Sequence, residues 1–349
     1  MGTRHPDRIR GTPGDDVIMG LGDSDVLNGR GGDDLICAGP GNENQVEGGA
    51  GNDRIHGGRG SDFMDGGDGK DVVIGGPGRD DLHGGDGRDL LRGGPGSDSL
   101  DGGGDADRLL GGQGDDGLTG SAGFPPKRDG DDLVRGGPGD DSLGDSPGHD
   151  TLDGGTGIDW ARAQNVDLVT ETASGKGSHT LIDIEAASGT DGDDVLIGDD
   201  GDNMFFPLFG DDRIEGGGGR DLVNLEVIED FVTEGMVVDL VAGTATGLGG
   251  SDQLLGIEDI QGTEGPDTIR GDDGPNRLEG FYGNDILEGR GGDDTLVGSL
   301  LDPNFPTSTD TNDSADGGSH VTGDTCIGIE QATNCEFSEL PARPVSRRS

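Results

Sequence analysis

The sequence predicts an all-β solenoid, a parallel β-roll built in two or three segments from stacked nine-residue units. Three observations carry that expectation. Between Gly48 and Thr119 one nonapeptide recurs eight times, from GGAGNDRIH through GGPGRDDLH to GGQGDDGLT. Every copy opens on Gly-Gly, has Asp at its sixth position and holds an apolar residue at its eighth. A fixed short period means one structural unit laid repeatedly on itself.

The template G-G-x-G-x-D-x-U-x, with U aliphatic, explains itself position by position. A glycine-rich hexad enters backbone conformations closed to other residues. The remaining three residues are too few for a helix and suit a brief strand whose central side chain points inward. Two units then form one coil with a sheet on either side, and each strand stacks on its counterpart two units away, about 4.8 Å along the axis. That stacking sets Asp62 above Asp80 and Asp53 above Asp71, with turn carbonyls pointing between them.

Taken from the N-terminus, the first unit (Gly2 to Arg10) is degenerate but keeps Asp7 and Ile9. Units at Gly11, Gly20 and Gly29 carry Asp16, Asp25 and Asp34. AGPGNENQVE then has one extra residue, and Glu43 reads as the replacement for its Asp. The eight regular copies supply Asp53, Asp62, Asp71, Asp80, Asp89, Asp98, Asp107 and Asp116. GSAGFPPKRDG breaks the register, predicting a projecting loop at Phe124, Pro125 and Pro126. The period resumes with Asp132, Asp141, Asp150 and Asp159.

Beyond Trp160 a larger duplication appears. VDLV at Val166 recurs at Val238, Ile184-Glu185 recurs as Ile257-Glu258, and GTDGDDVLIGDDGDN recurs as GTEGPDTIRGDDGPN. Each block reads as a non-repeat element, with strands Val166–Val169 and Leu181–Ile184 in the first, that feeds back into nonapeptides. Asp194, Asp212, Asp221, Asp267, Asp285 and Asp294 hold the sixth position there, with Asn203 and Asn276 as substitutes. These shifts divide the chain into a roll at 1–119, an interrupted continuation at 120–159, the two related blocks at 160–224 and 225–298, and a final stretch at 299–349. The last comprises a polar linker, a Cys-paired cap and a disordered basic tail.

The columns of carboxylates indicate the chemistry. Like charges one coil apart repel, and hard divalent cations remove that repulsion. Ca²⁺ accepts the mixture of carboxylate and backbone carbonyl that glycine-rich turns offer, whereas Mg²⁺ wants tighter octahedral geometry. Zinc is disfavoured because the turns contain neither Cys nor clustered His. The repeat resembles the RTX, or haemolysin-type, calcium-binding repeat. The resemblance implies a right-handed β-roll that folds when Ca²⁺ occupies the turns, with the sixth-position aspartates as side-chain ligands and turn carbonyls as the others.

Composition agrees. The chain has 349 residues, 77 of them Gly, with 72 acidic and 24 basic side chains and a formal charge of −48. Hydrophobic residues make up only 28% and aromatics 3%. Low hydrophobicity with high net charge is the signature of a disordered chain, so the period predicts an expanded apo form and a folded calcium form. The acidity argues against nucleic acid as a partner. No apolar run approaches the roughly 18 residues of a membrane span, and MGTRHPDRIRG contains no signal-peptide core.

An extracellular location follows from ligand supply, because weak calcium sites fill at about 10⁻⁴–10⁻³ M. Cys326 and Cys335 read as a disulfide of an oxidising compartment, leaving Cys37 unpaired. The expected role is therefore a secreted calcium-binding module at a surface or in a matrix, with its partner unidentified. The alternative is the secretion and folding tail of a larger toxin or hydrolase.

Catalysis within the chain is not expected. Gly144-Asp145-Ser146-Pro147-Gly148 matches a nucleophile elbow, yet Ser146 falls in a repeat turn with no helix after it. No H-E-x-x-H occurs, and His56 and His83 take outward ninth positions. Paired acids such as Asp15-Asp16 and Asp33-Asp34 recur too often for an enzyme, which needs one site. Trp160, Phe205, Phe206 and Phe209 read as caps of roll ends or as a partner-contact patch. Adhesion to ice would want a regular outward Thr array, which the varied outward positions do not supply.

Overall fold

The computed structural model describes residues 1–42, 44–121, 130–226, 235–247, 250–299, 314–317, 325–327, 329, 331–333 and 335–337. Every element among them is a β-strand, most only three to six residues long. The chain forms a parallel β-solenoid and divides into two compact units, Met1–Ala187 and Ser188–Ser349.

In the first unit the nine-residue period becomes a two-sheet coil. One sheet runs in parallel through Arg8–Arg10, Val26–Gly31, Gln45–Ala50, Phe63–Asp68, Asp81–Asp86 and Ser99–Gly104. Gly117–Thr119, Ser142–Gly144 and Trp160–Arg162 continue it. The other runs through Val17–Met19, Leu35–Cys37, Arg54–His56, Val72–Ile74, Leu90–Pro95 and Arg108–Gln113. Leu133–Pro138, Thr151–Thr156 and Ser178–Ile182 complete it. Each strand pairs with the one two repeats away, so eighth-position residues stack in register. Ile55, Met64, Val73, Leu82, Leu91 and Leu109 are all 0% exposed. The core is thus two facing stripes of one aliphatic side chain per repeat, a small apolar payload for so long a chain.

Glycine at the second position is a backbone requirement. Gly67 has φ +104° and Gly85 has φ +108°, a region that side chains resist. The insertion after Gly120 leaves the register intact, since Asp107 and Asp116 still bond to Asp132 and Asp141, now 25 residues on. Phe124, Pro125 and Pro126 lie outside the described residues.

The duplicated blocks resolve into antiparallel hairpins set into the parallel ladder. Asn165–Asp167, Thr172–Ser174 and Ser178–Ile182 form such a meander in the first unit. In the second unit Val237–Asp239, Thr244–Gly247 and Gly250–Leu255 repeat it. The expected pair of strands is therefore three, and the middle one was missed because its threonine-rich segment lacks the alternating apolar pattern of a half-buried strand.

Also in the second unit, one sheet runs in parallel through Met204–Phe206, Leu222–Asn224, Asp259–Gln261, Arg277–Phe281 and Thr295–Ser299. Phe205 fills an inward eighth position at 0% exposure. It is a core residue and not the end cap or contact residue expected of it, because register overrides aromatic character. Cys326 and Cys335 are joined in a disulfide, and Cys37 is a half-buried free thiol. The linker residues 300–313 and the tail 338–349 lie outside the described residues.

Candidate metal centre

The sixth-position side chains form two ladders along the edges of the first unit. One consists of Asp25, Asn44, Asp62, Asp80, Asp98, Asp116, Asp141 and Asp159. Each backbone N–H donates to the Oδ1 of the next member: Asp62 to Asp80 at 2.9 Å, Asp80 to Asp98 at 2.8 Å, Asp98 to Asp116 at 2.8 Å. The second holds Asp16, Asp34, Asp53, Asp71, Asp89, Asp107, Asp132 and Asp150 in the same manner. In the second unit Asp194 bonds to Asp212, Asn203 to Asp221, Asp267 to Asp285 and Asn276 to Asp294. Every aspartate singled out from the sequence thus stands in a ladder.

One carboxylate oxygen is used in this way; at Asp16, Asp150, Asp194 and Asp267 the other, Oδ2, is bonded as well, whereas along the regular run it is left over. Oδ2 of Asp53, Asp62, Asp71, Asp80, Asp89, Asp98, Asp116 and Asp141 is buried without a hydrogen-bond partner. Buried acceptors without partners are rare and costly in a folded protein. The electrostatics follow. Burial, reinforced by the carboxylates of Asp98 and Asp62, pushes Asp80 up to about 7. Asp71 and Asp116 rise to about 7, and Asp62, Asp89 and Asp141 to about 6, all chiefly through burial.

The first glycine of each repeat explains where those oxygens point. Its φ is not of the left-handed kind; what it provides is space. A Cβ built on Gly66 would stand 2.6 Å from Asp71 Oδ2 and 2.5 Å from the carbonyl oxygen of Gly84. At Gly48 the same construction meets Asp53 Oδ2 and Gly66 O, each at 2.5 Å. An orphaned carboxylate oxygen and a carbonyl oxygen from the next coil therefore converge beside these glycines. Among the described residues no three His, Cys, Asp or Glu side chains are arranged to hold one metal ion, so carbonyls must complete any shell. This donor set is all-oxygen, anionic and mixed with backbone, which fits Ca²⁺.

The ladders also end in ways the sequence did not announce. Asn44, not Glu43, takes the ladder position in the irregular repeat. The Asp25 N–H donates to Asn44 Oδ1 at 2.8 Å, and Asn44 Nδ2 donates to Asp62 Oδ1 at 2.7 Å. The extra residue is absorbed upstream of the aspartate position, and Glu43 itself lies outside the described residues. Asp159 donates to Glu185 Oε2 and Asp221 to Glu258 Oε2, each at 3.0 Å. The recurring Ile-Glu pair was visible, but its role as ladder end was not.

The second ladder of the first unit stops at an internal cation. His179, fully buried, places Nε2 2.6 Å from Asp145 Oδ1 and Nδ1 3.0 Å from Asp150 Oδ2. Ser146 Oγ donates to the same Asp150 oxygen at 2.8 Å. Burial disfavours the imidazolium, yet the bonds and charges of Asp145 and Asp150 outweigh it and push His179 up to about 9. Asp145 is held below its ordinary value, where bonds from His179 and the Lys176 N–H overcome burial. Ser146 is buried in a repeat turn with its hydroxyl given to a carboxylate, and no helix follows it among the described residues. The only sequence signal for this cluster is Asp145-Ser146 in place of the usual Gly-Gly.

Fold and site together define a calcium-binding repeat solenoid. A family model for the RTX calcium-binding nonapeptide repeat, in four copies, matches residues 1–42, 47–82, 83–118, 128–161, 188–223 and 261–296. These segments make up more than half of the chain, which belongs to that family. Among curated proteins none matches it. Of the solved structures, a hyperactive, Ca²⁺-dependent, β-helical antifreeze protein from an Antarctic bacterium is similar at 16% identity. The match covers 84% of this chain and 83% of that one, with a TM-score of 0.28. A likeness that loose transfers nothing to this chain. No helix among the described residues is long and apolar enough to cross a membrane.

Proposed function

We propose that this chain is an extracellular, non-catalytic calcium-binding module whose folding is coupled to Ca²⁺, serving at a surface or in a matrix. The ladder aspartates act as side-chain ligands and the turn carbonyls complete the shells. Asn44, Asn203 and Asn276 mark weaker sites, since amide oxygens bring no charge. The observation that carries this reading is the row of buried Oδ2 atoms, each beside a carbonyl oxygen and a glycine with no Cβ. A cation placed among those oxygens would satisfy the orphaned acceptors and relieve the repulsion that lifts the aspartates.

The location follows from affinity, because shells rich in backbone carbonyl suit millimolar calcium better than cytosolic levels. Far-UV circular dichroism in EGTA and then in excess Ca²⁺, beside calorimetric titration, tests the proposal. At or above neutral pH, full strand signal and compaction should appear only with calcium. A compact, strand-rich chain in EGTA that calcium leaves unchanged overturns it.

A further inference from the structure

The two outer faces of the first unit differ sharply in character. On the face that begins at Val17–Met19, the register brings Leu35, Arg54, Val72, Leu90, Arg108 and Leu133 into one row. Cys37, His56, Ile74, Arg92, Leu110 and Arg135 form the parallel row of ninth positions. Neither row contains an acid over this stretch, although the chain carries 72 acidic residues. Arg135 pairs with Asp153 at 2.6 Å. Arg54, Arg92 and Arg108 are exposed and make no ion pair with any described residue. The opposite face, over the same coils, presents Glu47, Asp65, Asp81 and Asp101 with half-exposed Phe63. There His83 lies between Asp81 and Asp101 at 3.2 and 3.7 Å.

The two faces match at four positions in place as well as in character, while Val72 comes to lie over Asp65. The two strands of a coil run in opposite directions, so a seventh position on one face lies behind a ninth position on the other. Shifting a copy along the normal to the sheets therefore sets Arg54 over Glu47, Arg92 over Asp81 and Arg108 over Asp101. The same shift sets Ile74 over Phe63. Each pair belongs to a single coil, so no sliding along the axis is needed, and both faces keep the same rung spacing of about 4.8 Å.

We infer that the arginine-and-aliphatic face of the first unit docks on the acidic face of a second copy, stacking rolls side by side in register. The charge argument selects this occupant. An acidic surface with a matching rung spacing is what the face fits, and this chain itself carries one. An anionic lipid surface would meet the same arginines but offers no fixed rung spacing to match them. The contact joins two different faces by translation, so it does not close, and assembly is open-ended. Its attraction rests on partly exposed ion pairs and is therefore sensitive to salt.

The inference rests on the calcium-folded roll proposed above. Sedimentation velocity and circular dichroism on one calcium-saturated sample test both. Mass should rise with concentration in low salt and return to that of a single chain in high salt. Arg92→Glu/Arg108→Glu should weaken association by about tenfold or more with an unchanged spectrum. Adding Asp81→Arg/Asp101→Arg should restore it. An ordered chain that stays single at every concentration overturns the stack alone, as does association indifferent to the arginine reversals. Binding to phosphatidylglycerol vesicles without self-association reassigns the face to lipid and also overturns it. A disordered spectrum in saturating calcium removes the calcium reading and the stack with it.

Discussion

Replacing Asp80 by Asn should move the protein in opposite directions with and without calcium. In the ladder Asp80 Oδ1 accepts the Asp62 N–H at 2.9 Å, while Oδ2 is buried without a partner. An amide keeps the first bond. It also turns the orphaned acceptor into a donor, as Asn44 Nδ2 shows by bonding to Asp62 Oδ1. Burial lifts Asp80 from 3.8 to about 7, a disfavour of about 4 kcal/mol for its ionised form near neutral pH. Screening by solvent around the turns reduces this to about 2 kcal/mol. Asp80→Asn should therefore stabilise the metal-free fold by about 2 kcal/mol, seen as strand signal in EGTA above that of the parent.

With calcium the sign reverses. One charged ligand is gone, so the half-saturation concentration should rise by about tenfold, equivalent to about 1.4 kcal/mol. The assay is circular dichroism in EGTA followed by a calcium titration, on both proteins. A variant that is less ordered in EGTA, or that binds calcium as tightly as the parent, refutes the idea that ladder charge opposes folding and that calcium answers it.

Three further outcomes follow from the same geometry. Gly66→Ala puts a methyl 2.6 Å from Asp71 Oδ2 and 2.5 Å from Gly84 O, so calorimetry should show calcium sites lost or weakened with no left-handed backbone strain involved. Metal-free order should depend on pH with a definite sign. Asp71, Asp80 and Asp116 have folded values near 7 against 3.8 when free, so the folded form binds the extra protons. Their stabilising effect is fully present below about pH 4 and is lost as pH rises through 7. Strand signal in EGTA should thus be greater at about pH 5 than at 8, while calcium affinity should fall with acid; the opposite trend in EGTA contradicts the burial of these groups. His179→Ala strips Asp145 and Asp150 of their shared counter-charge, and removing one partner of a buried pair costs about 3–5 kcal/mol. Its unfolding midpoint in calcium should drop accordingly, and an unchanged midpoint would show that the cluster is not closed.

The solenoid, its two sheets, its inward stripes and its ladder aspartates were all legible in the order of residues. The reason is local: nine residues make one complete turn-and-strand unit, so sequence period and structural period coincide, and counting positions is equivalent to tracing the chain. Wherever partners are far apart or register slips, counting fails. Asn44 and not Glu43 joins the ladder because the extra residue can be absorbed on either side of the aspartate position, and only pairing with Asp25 and Asp62 chooses. His179 reaches Asp150 from across a hairpin whose middle strand has no apolar alternation. Phe205, by contrast, obeys the count: it stands two residues after sixth-position Asn203 and turns inward as that position dictates. The contrast between an arginine face and an acidic face emerges only when residues 18 or 19 apart are aligned by strand pairing, since adjacent outward residues in the chain belong alternately to opposite sides of the roll.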